Sequence, residues 1–337
     1  MTLARTPLAA LLTIVLTART PAADPVKNAD LQYIPSDSNV LIVLRVDKVL
    51  ASDSVKKLRK EIPTIDKGLD SSFRKELGFE ISNVERVIVG IQAKGGVVVG
   101  VLHLKNGIKA ETVVKAVSAP RADGGKGTNY KEEKVGSLTM YVPARKFTEA
   151  FCLVNDRIMI YGPVEDLRPV LARNQKADLS VGLQAALKAS DPAALLTIVG
   201  DLNAVIAAER PLMVLGGDFK LITASVSGFS FTINDFGADV VFRGVALCKD
   251  AKAAAEMKTQ VEAMRKGMLE LLKAAPPGAV SKGLPELLGT AKIETKGNVV
   301  EATLRVKVDN MVAMIKTLIN PNIQPPSEKQ PPVEKKP

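Results

Sequence analysis

His103 is the only histidine in the chain, so any Ser-His-Asp or Cys-His scheme must use it. It follows Val97, Val99 and Val101 in steps of two, the period that puts side chains on one face of a strand. The imidazole is therefore expected in the core or at a sheet edge, not poised as a base. A single histidine excludes a histidine-rich metal site, and two distant cysteines, Cys152 and Cys248, exclude a cysteine-rich zinc site. Each cysteine lies in an apolar, strand-like run, where a thiol behaves as a small buried hydrophobe. An oxidising compartment would also permit a bridge between them.

Two further patterns carry a reaction by analogy and lack its remaining parts. Ser54-Val55-Lys56-Lys57 matches the Ser-x-x-Lys of penicillin-binding proteins and serine β-lactamases. No Lys-Thr-Gly follows, only Lys126-Gly127-Thr128, and Ser36 to Asn39 precedes the serine instead of following it. Asp123-Gly124-Gly125-Lys126-Gly127-Thr128 has the glycines and lysine of a phosphate loop, but not the Gly-Lys-Ser/Thr order. The acids Asp201, Asp218, Asp235 and Asp239 stand singly at expected turns and caps, without the dense alternation of a calcium loop. Any two of the 36 acids could be brought together for glycoside cleavage, and no pair is singled out. No catalytic, cofactor-binding or metal-ligating residue is assigned, and no cofactor is expected.

The chain has 337 residues and a formal charge of +10. Basic side chains are interspersed with acids, the densest cluster being Lys56, Lys57, Arg59 and Lys60. Such a surface suits anionic envelope polymers or another envelope protein. With no Trp and four Tyr, a base-stacking platform is poorly supplied, and no nucleic-acid partner is expected.

The elements that must position these residues begin after a leader. Arg5, the apolar run Pro7 to Ala18 and the small residues Thr20 to Ala23 have the order of a cleavable secretory signal over residues 1–23. That run is shorter than the roughly twenty residues a membrane-spanning helix needs. No second run approaches that length, so no transmembrane helix is expected in the mature chain. Hydrophobic residues make up 46%, enough to build a full core. The final stretch 320–337 is rich in Pro, Lys and Glu and is expected to be a disordered tail.

Between these ends the expected fold class is α+β: antiparallel sheets with helices packed on one face. Asn39 to Val46 (NVLIVLRV) reads as a buried strand, with Asp47 capping a helix through about Glu61. Hairpins are expected at Lys94-Gly95-Gly96, Gly136-Ser137 and Gly297-Asn298, where glycine supplies the positive φ of a tight turn. The last hairpin alternates Leu304, Val306 and Val308 with Thr303, Arg305 and Lys307, the signature of a sheet with one wet side. Ala254, Met257, Val261, Met264, Met268 and Leu271 form a helical stripe suited to the dry face. Ser36-Asp37 before VLIVLRVD is echoed by Ser190-Asp191 before ALLTIVGD. The order of elements repeats too, which predicts a duplicated β-α-β-β-α-β-β-α unit over residues 31–178 and 179–319.

Leu31 to Leu58 (LQYIPSDSNVLIVLRVDKVLASDSVKKL) resembles the opening of an uncharacterised family of exported bacterial proteins. In them a Leu-x-x-Ile/Leu-Pro-x-Asp phrase leads into a buried strand and a helix. The resemblance implies an envelope protein and carries over no catalytic residue. Taken together, the chain is expected to be an exported, periplasmic or extracellular, non-catalytic binding or scaffold protein. An envelope hydrolase using carboxylates and a pocketed carrier of an apolar or anionic ligand stay open as alternatives.

Overall fold

A computed structural model describes residues 28–62, 70–71, 73–75, 77–92, 96, 98–119, 128–144, 149–173, 177–207, 225–235, 237–274 and 283–319. The expected leader (1–23), the tail (320–337), most of the Asp123 to Thr128 loop and Asp218 lie outside the described residues. The strands are β1 (Val40–Leu44), β2 (Val84–Ile91), β3 (Val98–Leu104), β4 (Tyr130–Val135), β5 (Leu138–Pro143) and β6 (Ala150–Asn155). They continue with β7 (Ile158–Gly162), β8 (Leu196–Asp201), β9 (Val226–Asp235), β10 (Asp239–Cys248), β11 (Lys292–Lys296) and β12 (Val299–Lys307). All twelve join one antiparallel sheet, in the order β11-β12-β10-β9-β8-β1-β2-β3-β7-β6-β5-β4. The α+β class and the antiparallel sheet stand as expected.

The two halves expected as repeats meet in the middle of this sheet. The shift that carries Ser36-Asp37 onto Ser190-Asp191 also carries Val43 onto Thr197, and these two are direct partners across β1 and β8. A local two-fold axis therefore passes between the central strands. On each side the third strand pairs with the last of its half, β3 with β7 and β10 with β12. The second half follows the expected order, whereas the first carries an additional hairpin, β4–β5, beyond β6. Both outermost strands are charged, Lys131 to Lys134 on β4 and Lys292, Glu294 and Lys296 on β11.

Helices cover both faces, a correction to the one-sided expectation. The first face holds α2 (Val46–Ala51), α3 (Asp53–Glu61) and α4 (Ala110–Ser118), with α10 (Val308–Ile319). Val49, Val55, Leu58, Val113, Met311 and Val312 bury against Leu44, Val87, Val89 and Leu102 there. The second face holds α5 (Val164–Ala172) and α6 (Val181–Ala189), with Leu167, Leu171, Leu183 and Ala186 against Leu41, Val43, Ile88, Val101 and Ile160. The reason lies in the strands. β1 is apolar at every position (VLIVL), so both of its faces need cover. The one-sided reading came from the β11–β12 hairpin, and there it holds: Val306 is buried while Arg305 and Lys307 are exposed.

Two helices differ from expectation. Asp47 does not cap its helix as expected but lies within its first turn, which begins at Val46 after Arg45. The run expected as one helix then breaks at Ser52, whose hydroxyl donates to Val49 O at 2.7 Å and accepts from Val55 N at 3.1 Å. One serine thus ends α2 and caps α3. Helix α8 (Ala251–Ala274) is buried in its first turns, through Ala253, Ala254 and Met257 with Cys248, Val226 and Val300, and Val261 packs partly against the same cluster. Further along the same stripe Met264, Met268 and Leu271 are 42%, 46% and 74% exposed. Further helices are α1 (Asn28–Leu31), α7 (Leu202–Ala207) and α9 (Gly283–Gly289), with a 3-10 turn at Ile81–Asn83. None of the described helices is long and apolar enough to cross a membrane.

Candidate functional site

The sequence brings charge to one place on the second face. Arg86 on β2 and His103 on β3 are direct cross-strand partners. Both are nearly enclosed, with side chains 14% and 15% exposed. A guanidinium in such surroundings needs a counter-charge. Asp30 of α1 supplies it: Oδ2 lies 2.8 Å from Arg86 Nη2 and Oδ1 3.1 Å from His103 Nε2. The strand phase anticipated for His103 is correct, since Val99 and Val101 belong to the same face. The polar neighbour of the histidine among the described residues is this carboxylate. Arg86 and Asp30 had no local signal beyond a charged residue in an otherwise apolar strand (VERVIVGI) and an acid just before the Leu31 to Asp37 phrase.

That phrase is itself held by charge. Arg173, at the end of α5, donates from Nη2 to Gln32 O and Ile34 O at 2.7 and 2.6 Å. Its Nη1 donates to Ser36 Oγ at 2.5 Å. Gln92 Nε2 donates to Asp37 Oδ1 at 2.6 Å. Gly90 makes room beneath: a Cβ there would meet Ser38 Oγ at 2.7 Å and Ile34 at 2.8 Å.

The Ser-x-x-Lys residues are turned to different partners. Ser54, buried, donates to the carboxylate of Asp235, which is also buried and comes from β9. Lys57 pairs with Asp309 at the start of α10. Around it, Lys56 pairs with Asp53 at 3.4 Å, so the densest basic cluster is partly neutralised. Asp201 accepts from Ser180 Oγ at 2.6 Å and from Ala204 N at 3.1 Å, which makes it the cap of α7. On the second half, Arg243 of β10 donates from Nη2 to Glu301 Oε2 at 2.7 Å across to β12. The guanidinium holds the Glu301 carboxyl below the ordinary carboxylate range. On the first, Arg168 grips Glu133 of β4 through two nitrogens, at 2.6 and 3.0 Å, and lowers that carboxyl likewise. Among the described residues no group of three His, Cys, Asp or Glu is placed to hold a metal ion.

Cys152 and Cys248 are free and buried, in separate clusters. Burial pushes the Cys152 thiol up to about 11 and raises Cys248 as well. The nucleophile is the thiolate, so native protein at pH 8 should react with iodoacetamide at least about tenfold more slowly than unfolded protein. Intact mass should be the same with and without reductant. A folded value above the unfolded one favours the neutral thiol. Its contribution to stability is present below the unfolded value of 9.0 and lost as pH rises through about 11. Native alkylation at the unfolded rate would refute the burial of both thiols.

Comparison with known proteins adds little beyond this geometry. No family model matches the chain, and no curated protein does. Among solved structures, crystal forms I and III of TP0453 are similar at TM-scores of 0.44 and 0.46, with 10% and 9% identity. Each alignment covers 88% of this chain and 98% or 99% of the other. Crystal form IV of TP0453 is similar at a TM-score of 0.45 and 9% identity, over 87% of this chain and 97% of that one.

Proposed function

We propose that this chain is an exported, non-catalytic binding protein of the bacterial envelope. One observation carries the reading. The only imidazole lies beside Asp30 and Arg86 in a nearly enclosed group, and among the described residues neither a serine nor a cysteine is paired with it, as a Ser-His or Cys-His scheme would need. The other reactive patterns are engaged in the same way: Ser54 with Asp235, Lys57 with Asp309. Export rests on the leader-like residues 1–23, and an envelope setting on the Leu31 to Leu58 resemblance. The formal charge of +10 favours anionic partners.

The test has two arms. Intact-mass labelling with fluorophosphonate and β-lactam probes should leave the native protein unmodified. An adduct on Ser54 that disappears in Lys57→Ala would overturn the non-catalytic reading. In the second arm, protein purified from its own host is examined by native mass spectrometry and by co-sedimentation with purified anionic envelope polymer. Salt-sensitive co-sedimentation supports the reading. A retained small apolar molecule with no polymer binding would replace it by a carrier.

A further inference from the structure

We infer that residues 28–38 form a strap that opens and closes as a unit over the second face of the first half-sheet. The backbone bonds of its ordered turn are local: Tyr33 N to Asp30 O at 3.4 Å, Ile34 N to Leu31 O at 3.2 Å and Ser38 N to Pro35 O at 3.1 Å. Pairing with the sheet begins at Asn39, whose N–H donates to Ile91 O at 2.9 Å. The ties that hold the strap down are made by side chains. Asp30 reaches Arg86 and His103 near one end, Arg173 grips two carbonyls and a hydroxyl in the middle, and Gln92 meets Asp37 near the other end. Lifting the segment therefore breaks no strand ladder. Local openings of this kind separate from global unfolding when the ties to the body are few and independent.

Beneath the strap lies an apolar seat. Leu31 and Ile34 are 5% and 0% exposed and join the second-face cluster with Leu41, Ile88, Leu171 and Leu179. Gly90 keeps the floor of the seat low enough for Ile34 and Ser38 to lie against it. Closing hides this apolar surface and supplies the counter-charge for Arg86 beside His103. Opening exposes both at once. The strap is a conformational cover with an electrostatic latch at Asp30 and a hydrogen-bonding clamp at Arg173.

Hydrogen exchange read by mass spectrometry on the whole mature chain tests this. Arg173→Met cuts the clamp, and Gly90→Ala puts a wedge under the strap. Each should speed exchange across residues 31–38 by at least about tenfold, while β9 and β10 keep their protection. Both variants should also gain fluorescence with an apolar-surface dye. Should Arg173→Met fail to fold, Gly90→Ala gives the same reading without removing a charge. Loss of protection in the strap and in β9–β10 together would show one cooperative unit and overturn the inference. Unchanged exchange in the strap of both variants would overturn it too.

Discussion

Asp30→Leu should destabilise the fold by about 3–5 kcal/mol, the cost of breaking a buried pair from one side. The carboxylate is 5% exposed and faces a guanidinium and an imidazole that are themselves nearly enclosed. Removing it leaves Arg86 without its carboxylate while the strap is closed, and lifting the strap to hydrate Arg86 exposes the apolar seat of Leu31 and Ile34 instead. The same physics predicts a rescue. The triple variant Asp30→Leu, Arg86→Met, His103→Leu removes every charge of the cluster and should recover most of the loss, because apolar replacement of a whole buried ion group is often neutral or better. Urea unfolding midpoints of the single and triple variants decide the matter. A single variant within 1 kcal/mol of the parent would mean that solvent already reaches the cluster.

Gly100→Val is expected to cost about 1–3 kcal/mol or more by overpacking. A Cβ at Gly100 would lie 2.2 Å from ring carbons of Tyr161 on the adjacent strand, far inside any van der Waals contact. Glycine and aromatic form a pair here, the ring filling the space that the missing side chain leaves. The second half uses the same device: at Gly200 the Phe229 ring lies 2.4 Å from a Cβ position. Gly200→Val should therefore behave like Gly100→Val. Gly244 is the control, since the nearest atom to its Cβ position is Ala302 O at 4.0 Å. Gly244→Ala should leave the thermal midpoint within a few degrees of the parent, as for a change of under about 1 kcal/mol. Pairing Gly100→Val with Tyr161→Ala should restore part of the loss. Equal midpoints for Gly100→Val and Gly244→Ala would refute the steric account.

Much of this architecture was legible because its signals are local. The run VLIVL reads as a buried strand and is β1, though the one-sided expectation leaves out the cover that it demands on both faces, and the alternation Thr303 to Lys307 states which side of β12 is wet. The echo of Ser36-Asp37 at Ser190-Asp191 also relates Val43 to Thr197, which are direct partners across the central strands. What could not be read depends on meetings between distant residues. His103 could be placed on a face by counting in twos, but its partner stands more than seventy positions earlier, in a four-residue helix. The stripe along α8 was visible, whereas the point where the sheet ends beneath it was not: Met257 is buried and Met268 is 46% exposed. The break at Ser52 was hidden for another reason. A serine with one hydroxyl serving two helices looks, in sequence, like any residue in a helical run.

The charged outer strands bear on how copies of this molecule meet in a crowded compartment. An open sheet has two rims, and a rim is a template for another strand. On β4 the pattern Lys131-Glu132-Glu133-Lys134 reads identically from either end, and so does Lys292, Glu294, Lys296 on β11. When two such rims approach head to tail in central register, lysine lands on lysine and glutamate on glutamate, and like charges placed directly opposite destabilise the pairing. On β4 Arg168 already holds Glu133, so there the repulsion falls on the lysines, and the palindrome of charge disfavours pairing of each rim with its own image.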